Sequence, residues 1–287
     1  MNRRDFLQSV GISTVAMMTA KELDAALPSA VTQKMPVIFV GHGSPMNAIE
    51  ENEYVQGWRT LAKSIPAPTA ILCISAHWLT RGTQVLGLST PPTIHDFYGF
   101  PESMYALSYK APGALALAEE TAALLRASKS IDIATDWGFD HGTWSVLMRM
   151  YPDATIPVYQ LSLDINDTPA KHYELATLLR SLRDKGVLIV GSGNIVHNLR
   201  LLRFDGKNYD WAIEFDEKIK TFIEQRDDTS IIEYEKLGNA ATLSVPTNDH
   251  YLPLLYALGA SDKKDTITFY NAKTDIGSIS MRSVKFG

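Results

Sequence analysis

Two short apolar runs constrain this chain more than any other feature. In VIFVGHGSP, four β-branched or aromatic residues, Val37 to Val40, lead into Gly41-His42-Gly43-Ser44-Pro45. In ILCISAHW, Ile71–Trp78, a second apolar run leads to His77. Unbroken apolar runs of this length, bounded by glycine and serine, read as strands buried on both faces. Such strands belong to open α/β sheets, where ligands gather outside the strands' carboxyl ends. Each run therefore delivers one histidine to the edge where a site forms.

From Met35 onward, apolar strands alternate with amphipathic helices. Strands are expected at Val37–Gly41, Ala70–Ser75, Gln84–Ser89, Thr155–Ser162, Val187–Gly191, Ile267–Tyr270 and Ser278–Ser283. Helices are expected at Glu53–Lys63, Gly113–Ser128, Thr143–Met150, Pro169–Lys185, Tyr209–Arg226 and Asp249–Leu258. In the Tyr209–Arg226 segment, Trp211, Phe215, Ile219, Phe222 and Ile223 share one face. Thr168-Pro169 supplies an N-cap and a first-turn proline, and Gly186 a stop, for the helix between them. No repeat, low-complexity run or long linker interrupts the pattern. The reading is one α/β domain with helices on both faces of a mixed sheet.

A chain of 287 residues, 45% hydrophobic, is long enough for a stable core without disulfides. Its net charge of −5 gives no basic field for nucleic acid or an anionic membrane. The one cysteine, Cys73, sits inside an apolar run and reads as core. Any metal site must therefore draw on His, Asp or Glu.

The N-terminus reads differently. Asn2-Arg3-Arg4-Asp5-Phe6-Leu7-Gln8 precedes a mildly apolar stretch, Val10 to Met18. That is a twin-arginine address followed by a hydrophobic region too short and too polar to span a bilayer. Residues 1–34 are thus expected to be a signal and linker, read by the twin-arginine export machinery. The mature chain is expected in the periplasm, without stable membrane insertion; without the signal it would be cytoplasmic.

Ser89–Ala111, STPPTIHDFYGFPESMYALSYKA, is a long loop rich in proline and aromatics. Long loops inside a domain tend to be functional. This one, with His95 and Phe97, suits a planar, partly apolar ligand.

Seven histidines are present. His42 and His77 are the strongest candidates, at strand ends in Gly- or Ser-rich turns. His197 follows Val187–Gly191 and the turn Ser192-Gly193-Asn194. His250 is expected to open the last helix, where the N-terminus disfavours its cationic form. His141 lies in WGFDHGTW, as part of a pocket wall. His95 lies in the aromatic loop beside Asp96. His172, between Lys171 and Tyr173, is expected on the surface. Several neutral imidazoles converging on strand ends suit Zn, Fe(II), Cu or Ni. Three protein ligands with open positions make a catalytic site.

Other chemistries lack support. Gly191-Ser192-Gly193-Asn194-Ile195-Val196 starts like a dinucleotide fingerprint, but Val196 stands where the third glycine belongs. No phosphate-binding GxxxxGK[ST], GxSxG elbow or HExxH occurs.

GHGSPMNAIE, SAHW, TIHDFYGFP, WGFDHGTW, GSGNIVHNL and NDHYLPLLYALGA occur here in one order. Together, over roughly Pro36 to Gly259, they resemble the class III extradiol ring-cleaving dioxygenases, in the DOPA 4,5-dioxygenase branch. The resemblance implies a three-layer α/β/α domain spanning residues 35–287, with a metal at the sheet's carboxyl edge. It implies His42 and His77 as metal ligands, with His250 where the wider family carries a glutamate. It implies His197 as the acid/base, with a fourth-ligand role as the alternative, and His141 as a hydrogen-bond partner of substrate hydroxyl or bound oxygen. The implied cofactor is one divalent ion, Fe(II) as in the wider family or zinc as in bacterial members of the branch. The implied substrates are a catechol such as DOPA and O2, with the His95–Phe97 loop over the ring. A zinc hydrolase of a small substrate and a non-catalytic metal-binding protein on the same fold are the alternatives.

Replacing Arg3-Arg4 with Lys-Lys is expected to hold the protein in the cytoplasm. Cell fractionation that finds it unmoved would remove the export reading.

Overall fold

In the computed structural model, which describes residues 34–287, both apolar runs are strands buried along their whole length: β1, Val37–Gly41, and β2, Ala70–Ser75. They join β3 (Val158–Gln160), β4 (Val187–Gly193), β5 (Ile267–Tyr270) and β6 (Ser283–Phe286) in a sheet ordered β3-β2-β4-β1-β6-β5. The first four strands are mutually parallel, β6 runs antiparallel to β1, and β5 runs antiparallel to β6. The sheet is mixed, as expected.

Side chains alternate along each strand, so the two parallel strands feed two cores. Val37, Phe39, Leu72 and Ile74 enter one, with residues of α2 (Leu115–Leu125), α4 (Pro169–Leu178), α5 (Asp210–Gln225) and α6 (Leu252–Ala260). Ile38, Val40, Ile71 and Cys73 enter the other, with residues of α1 (Glu53–Lys63) and α3 (His141–Met150). Helices on both faces of one sheet make a three-layer α/β/α arrangement.

Local chemistry accounts for the boundaries. Asn52 caps α1 by accepting from Val55 N–H, and Thr168 caps α4 by accepting from Lys171 N–H. The expected helix to Lys185 changes character at Leu179, where 3₁₀ turns take over until Gly186 stops the chain at φ 79°. The expected strand at Ser278–Ser283 divides: Ile279–Ser280 pairs outside the main sheet with Thr274–Asp275, and β6 begins at Ser283. The expected strand at Gln84–Ser89 is Thr83–Leu86, paired in parallel with Ile131–Ala134, which the sequence reading missed.

Arg282, at the entry to β6, and Asp216 on α5 form an ion pair with both side chains almost fully buried. Arg282 Nε and Nη2 donate to Asp216 Oδ2 at 2.9 and 2.6 Å, while Ser280 Oγ donates to Oδ1 at 2.5 Å. Arg282 Nη2 also donates to the half-exposed Glu217, so removing Asp216 leaves the buried guanidinium with one partly exposed carboxylate. Asp216→Ala is expected to cost about 3 kcal/mol in urea unfolding. A loss below about 1 kcal/mol would show that the pair behaves as an exposed one.

Candidate metal centre

The sheet register brings the carboxyl ends together. Gly41 faces Gly193 across β1 and β4, and Ser75 faces Ser192 across β2 and β4. The ladder continues past each strand: His42 N–H donates to Gly193 C=O, and Ala76 N–H to Ser192 C=O, each at 3.0 Å. His42 and His77 thus leave β1 and β2, the strands on either side of β4, at the same edge. His250 arrives from the loop before α6, where its carbonyl accepts from Asn194 N–H at 2.8 Å. A Cβ on Gly193 would stand 2.1 Å from that carbonyl oxygen, so only glycine lets this loop seat on the strand end. His141 is the first residue of α3, behind the N-cap Asp140. Its neighbour Gly142 leaves no room for a Cβ, which would meet Ser75 Oγ at 2.5 Å and His77 Cδ2 at 2.9 Å. The helix start and the β2 end are therefore pressed together.

Five imidazoles meet at this edge. The His42 and His77 rings lie 5.1 Å apart, His77 and His141 3.8 Å, and His77 and His250 4.9 Å, centroid to centroid. His197 stacks on His250 at 3.4 Å with a 6° interplanar angle. One ring nitrogen from each of His42, His77 and His141 falls within 4.8 Å of the others. His42 Nε2 and His77 Nε2 are 3.3 Å apart.

Proton positions follow from the hydrogen bonds. Ser192 Oγ donates its one proton to Gly142 C=O at 2.6 Å. Toward His42 Nδ1, 3.0 Å away, it therefore accepts, and His42 carries its proton on Nδ1. His141 Nδ1 donates to the Asp96 carboxylate at 2.8 Å, and His250 Nδ1 to the Asp249 carboxylate. In each of the three the Nε2 lone pair is left over. His250 Nε2 is buried with no hydrogen-bond partner.

The comparisons with known proteins agree with this geometry. Residues 32–282 match the family model described as the catalytic LigB subunit of aromatic ring-opening dioxygenase. The chain belongs to the LigB family of aromatic ring-opening dioxygenases. It is 46% identical over 265 residues to an Escherichia coli K12 protein named 4,5-DOPA dioxygenase extradiol, covering 88% of this chain and 95% of that one. It is 37% identical over 256 residues to a Beta vulgaris protein of the same name, covering 86% and 95%. A crystal structure of an uncharacterized Escherichia coli K12 protein superposes with a TM-score of 0.75 at 42% identity, over 88% of this chain and all of that one. The chain is thus an extradiol dioxygenase by family and fold.

LigB-family enzymes use a metal, and the residues here fit one. Donor nitrogens of His42, His77 and His141 converge within 4.8 Å, a group that does not include His250, and the buried His250 Nε2 beside them has no hydrogen-bond partner. Two nitrogens each about 2.0–2.1 Å from one tetrahedral ion would lie about 3.3–3.4 Å apart. The His42–His77 separation of 3.3 Å agrees with that spacing. The donor group found among the described residues is all imidazole. The nearby carboxylates, Asp96 and Asp249, are turned to the Nδ1 side of the rings.

The expected site residues sort as follows. His42, His77, His141, His197 and His250 are brought together. Phe97 packs edge-on against His141 at 5.6 Å. His95 Nε2 lies 3.1 Å from Leu107 C=O within the aromatic loop, and its ring packs against Phe97 at 5.8 Å. Two expectations need correction. His172 is fully buried, its Nδ1 3.1 Å from Tyr256 Oη, because it shares a face of α4 with Leu175 and Ala176 against α6. His250 does not open a helix, since α6 starts at Leu252; burial rather than a helix terminus keeps its ring neutral. Ser192, Asp96 and Asp249 were missed. The aspartates adjoin His95 and His250 in sequence, but adjacency does not say which neighbour turns toward the site.

Burial sets the charge state. It pushes His42 and His250 far below the ordinary histidine range, with the other imidazoles adding to the effect. Burial and then His141 take His77 to about 3, although the charge of Asp96 opposes them. Burial takes His197 to about 4, against the opposing charge of Asp249. For Asp96, burial favours the protonated form, but the hydrogen bond and charge of His141 prevail and hold it below the usual carboxylate range.

The pH dependence has a definite sign. An unfolded histidine takes a proton near pH 6.5, while these folded ones resist until about pH 3–4. Between those limits the unfolded state binds more protons, so stability falls as pH drops. The metal-free protein is expected to lose melting temperature from pH 7 to 5 and to change little through these groups from pH 7 to 8. A His77→Gln/His197→Gln variant is expected to have a shallower slope. Equal slopes in scanning calorimetry would show that these imidazoles do not govern acid sensitivity.

Proposed function

We propose that the chain opens the ring of a catechol, DOPA among the candidates, with O2, using one divalent ion held by His42, His77 and His250. His141 and His197 stand beside that set, and His197 is close enough to His250 to serve as a fourth ligand instead. The observation that carries the reading is the convergence of uncharged imidazoles beneath an aromatic loop at the strand ends. When bound, the ion supplies anchorage for the catechol oxygens and, as Fe(II) but not as Zn(II), electron density for O2.

The protein residues supply the rest. His197, uncharged at neutral pH, accepts a catechol hydroxyl proton and later returns it, the work of a positioned general base and acid. His141, with Nδ1 committed to Asp96, presents Nε2 as an acceptor for the second hydroxyl. Phe97 offers its ring as a wall against the substrate ring, with His95 bracing the loop behind it. Burial keeps water from competing for these groups. Export to the periplasm is part of the proposal and rests on Arg3, Arg4, Phe6 and Leu7, which lie outside the described residues.

A second reading follows from the donor set. Three imidazoles with an open position also suit a zinc hydrolase of a small substrate.

The test is anaerobic purification, reconstitution with Fe(II) or Zn(II), and oxygen uptake with DOPA and simpler catechols. The Fe(II) form is expected to consume oxygen and form a yellow ring-opened product. His197→Ala is expected to retain metal and lose about 10²–10⁴-fold in turnover. Loss of metal instead makes His197 a ligand, and no oxygen uptake with any catechol refutes the dioxygenase reading.

A further inference from the structure

Asp96 sits at an unusual junction. It belongs to the aromatic loop, yet both carboxylate oxygens face the histidines. Oδ1 accepts from His141 N–H at 2.8 Å, one of the donors a helix start leaves free. Oδ2 accepts from His141 Nδ1 at 2.8 Å and lies 3.5 Å from His77 Nδ1. One side chain thus contacts the backbone of α3 and two of the three rings whose donor atoms cluster.

The loop reaches this position by a continuous set of bonds. Ile94 N–H donates to Phe139 C=O at 2.7 Å, and Phe139 N–H to Pro92 C=O at 2.8 Å. Trp144 Nε1, on α3, donates to Ile94 C=O at 2.9 Å. A Cβ on Gly138 would stand 2.2 Å from Pro92 C=O, so the two segments are in direct backbone contact. Further out, Tyr109 N–H donates to Thr93 Oγ1 at 2.9 Å, closing the base of the loop. The loop is seated on the segment leading into α3, and Asp96 is where that seating touches the imidazoles.

We propose that Asp96 is a positioning residue that makes the seating of the aromatic loop and the aim of His77 and His141 a single event. With the loop down, Asp96 holds the His141 proton on Nδ1 and directs Nε2 inward. With the loop lifted, His141 loses its hydrogen-bond partner and His77 loses the carboxylate 3.5 Å from its Nδ1. Coupling of this kind is reciprocal: an ion that requires the aim of His77, the ligand Asp96 faces, holds the loop down. The inference rests on the metal-centre reading, not on the identity of the substrate.

The test uses Zn(II) and Co(II) alone, without catechol or oxygen, so its failure is distinct from failure of the dioxygenase reading. Asp96→Ala removes both acceptors. Asp96→Asn keeps the shape, but its amide matches only one of the two N–H donors. Both are expected to bind Zn(II) about 10–100-fold more weakly in chelator competition. Both are expected to show an altered visible spectrum when loaded with Co(II), which a loss of stability alone would not produce. In the wild type, Zn(II) is expected to slow chymotryptic cleavage at the exposed Tyr98; in the variants that protection is expected to vanish. Should Asp96→Ala not fold, Asp96→Asn carries the test. Zn(II) affinity within about 2-fold of wild type with an unchanged Co(II) spectrum would overturn the positioning role. Wild-type cleavage indifferent to Zn(II) would overturn the coupling.

Discussion

Five imidazoles share one small volume in this protein, and burial holds four of them, His42, His77, His197 and His250, in the uncharged form. Mutual repulsion and lost hydration both act against protonation, and the shifts of His42, His77, His197 and His250 all run that way. A neutral imidazole still has one N–H to satisfy, and an acceptor outside the ring cluster is provided in three cases. Ser192, Asp96 and Asp249 accept from His42, His141 and His250, each at Nδ1. The cluster therefore presents lone pairs inward because its protons are drawn outward. An inward-facing set of uncharged donors is what a cation requires and what a packed apolar core would not tolerate.

The sheet makes this arrangement possible. Three adjacent parallel strands end in register, so the residues that follow them emerge side by side. Glycines at the contact points let the turn before α6 and the start of α3 press against those ends. The site is thus a consequence of strand register and close backbone approach. The family match gives an aromatic ring-opening dioxygenase, and the side chains at these strand ends supply histidines that could hold the metal such enzymes use.

Much of this was legible in the chain itself, for physical reasons. β1 and β2 announced themselves because a strand buried on both faces must be continuously apolar. His42 and His77 stood out because a polar residue directly after such a run has only the sheet edge to occupy. What was not legible depends on contacts distant in sequence. His172, between Lys171 and Tyr173, reads as a surface residue from sequence; its burial depends on α6, more than eighty positions away. Asp96 was visible beside His95, yet only the folded loop shows that the aspartate turns inward while the histidine turns back to Leu107. The division of the Ser278–Ser283 stretch likewise follows from pairing partners that local pattern does not encode.

The converging histidines come from five separate segments, from β1 near the start of the domain to the turn before α6 near its end. No fragment of the chain contains the centre, and no local turn of helix or hairpin assembles part of it. An unfolded chain would hold the same imidazoles far apart, so nearly all of an ion's binding energy would reappear as stability of the entire domain. Ion binding in this protein is thus linked to folding of the whole domain, and the long-range contacts that build the site are also those that form slowly.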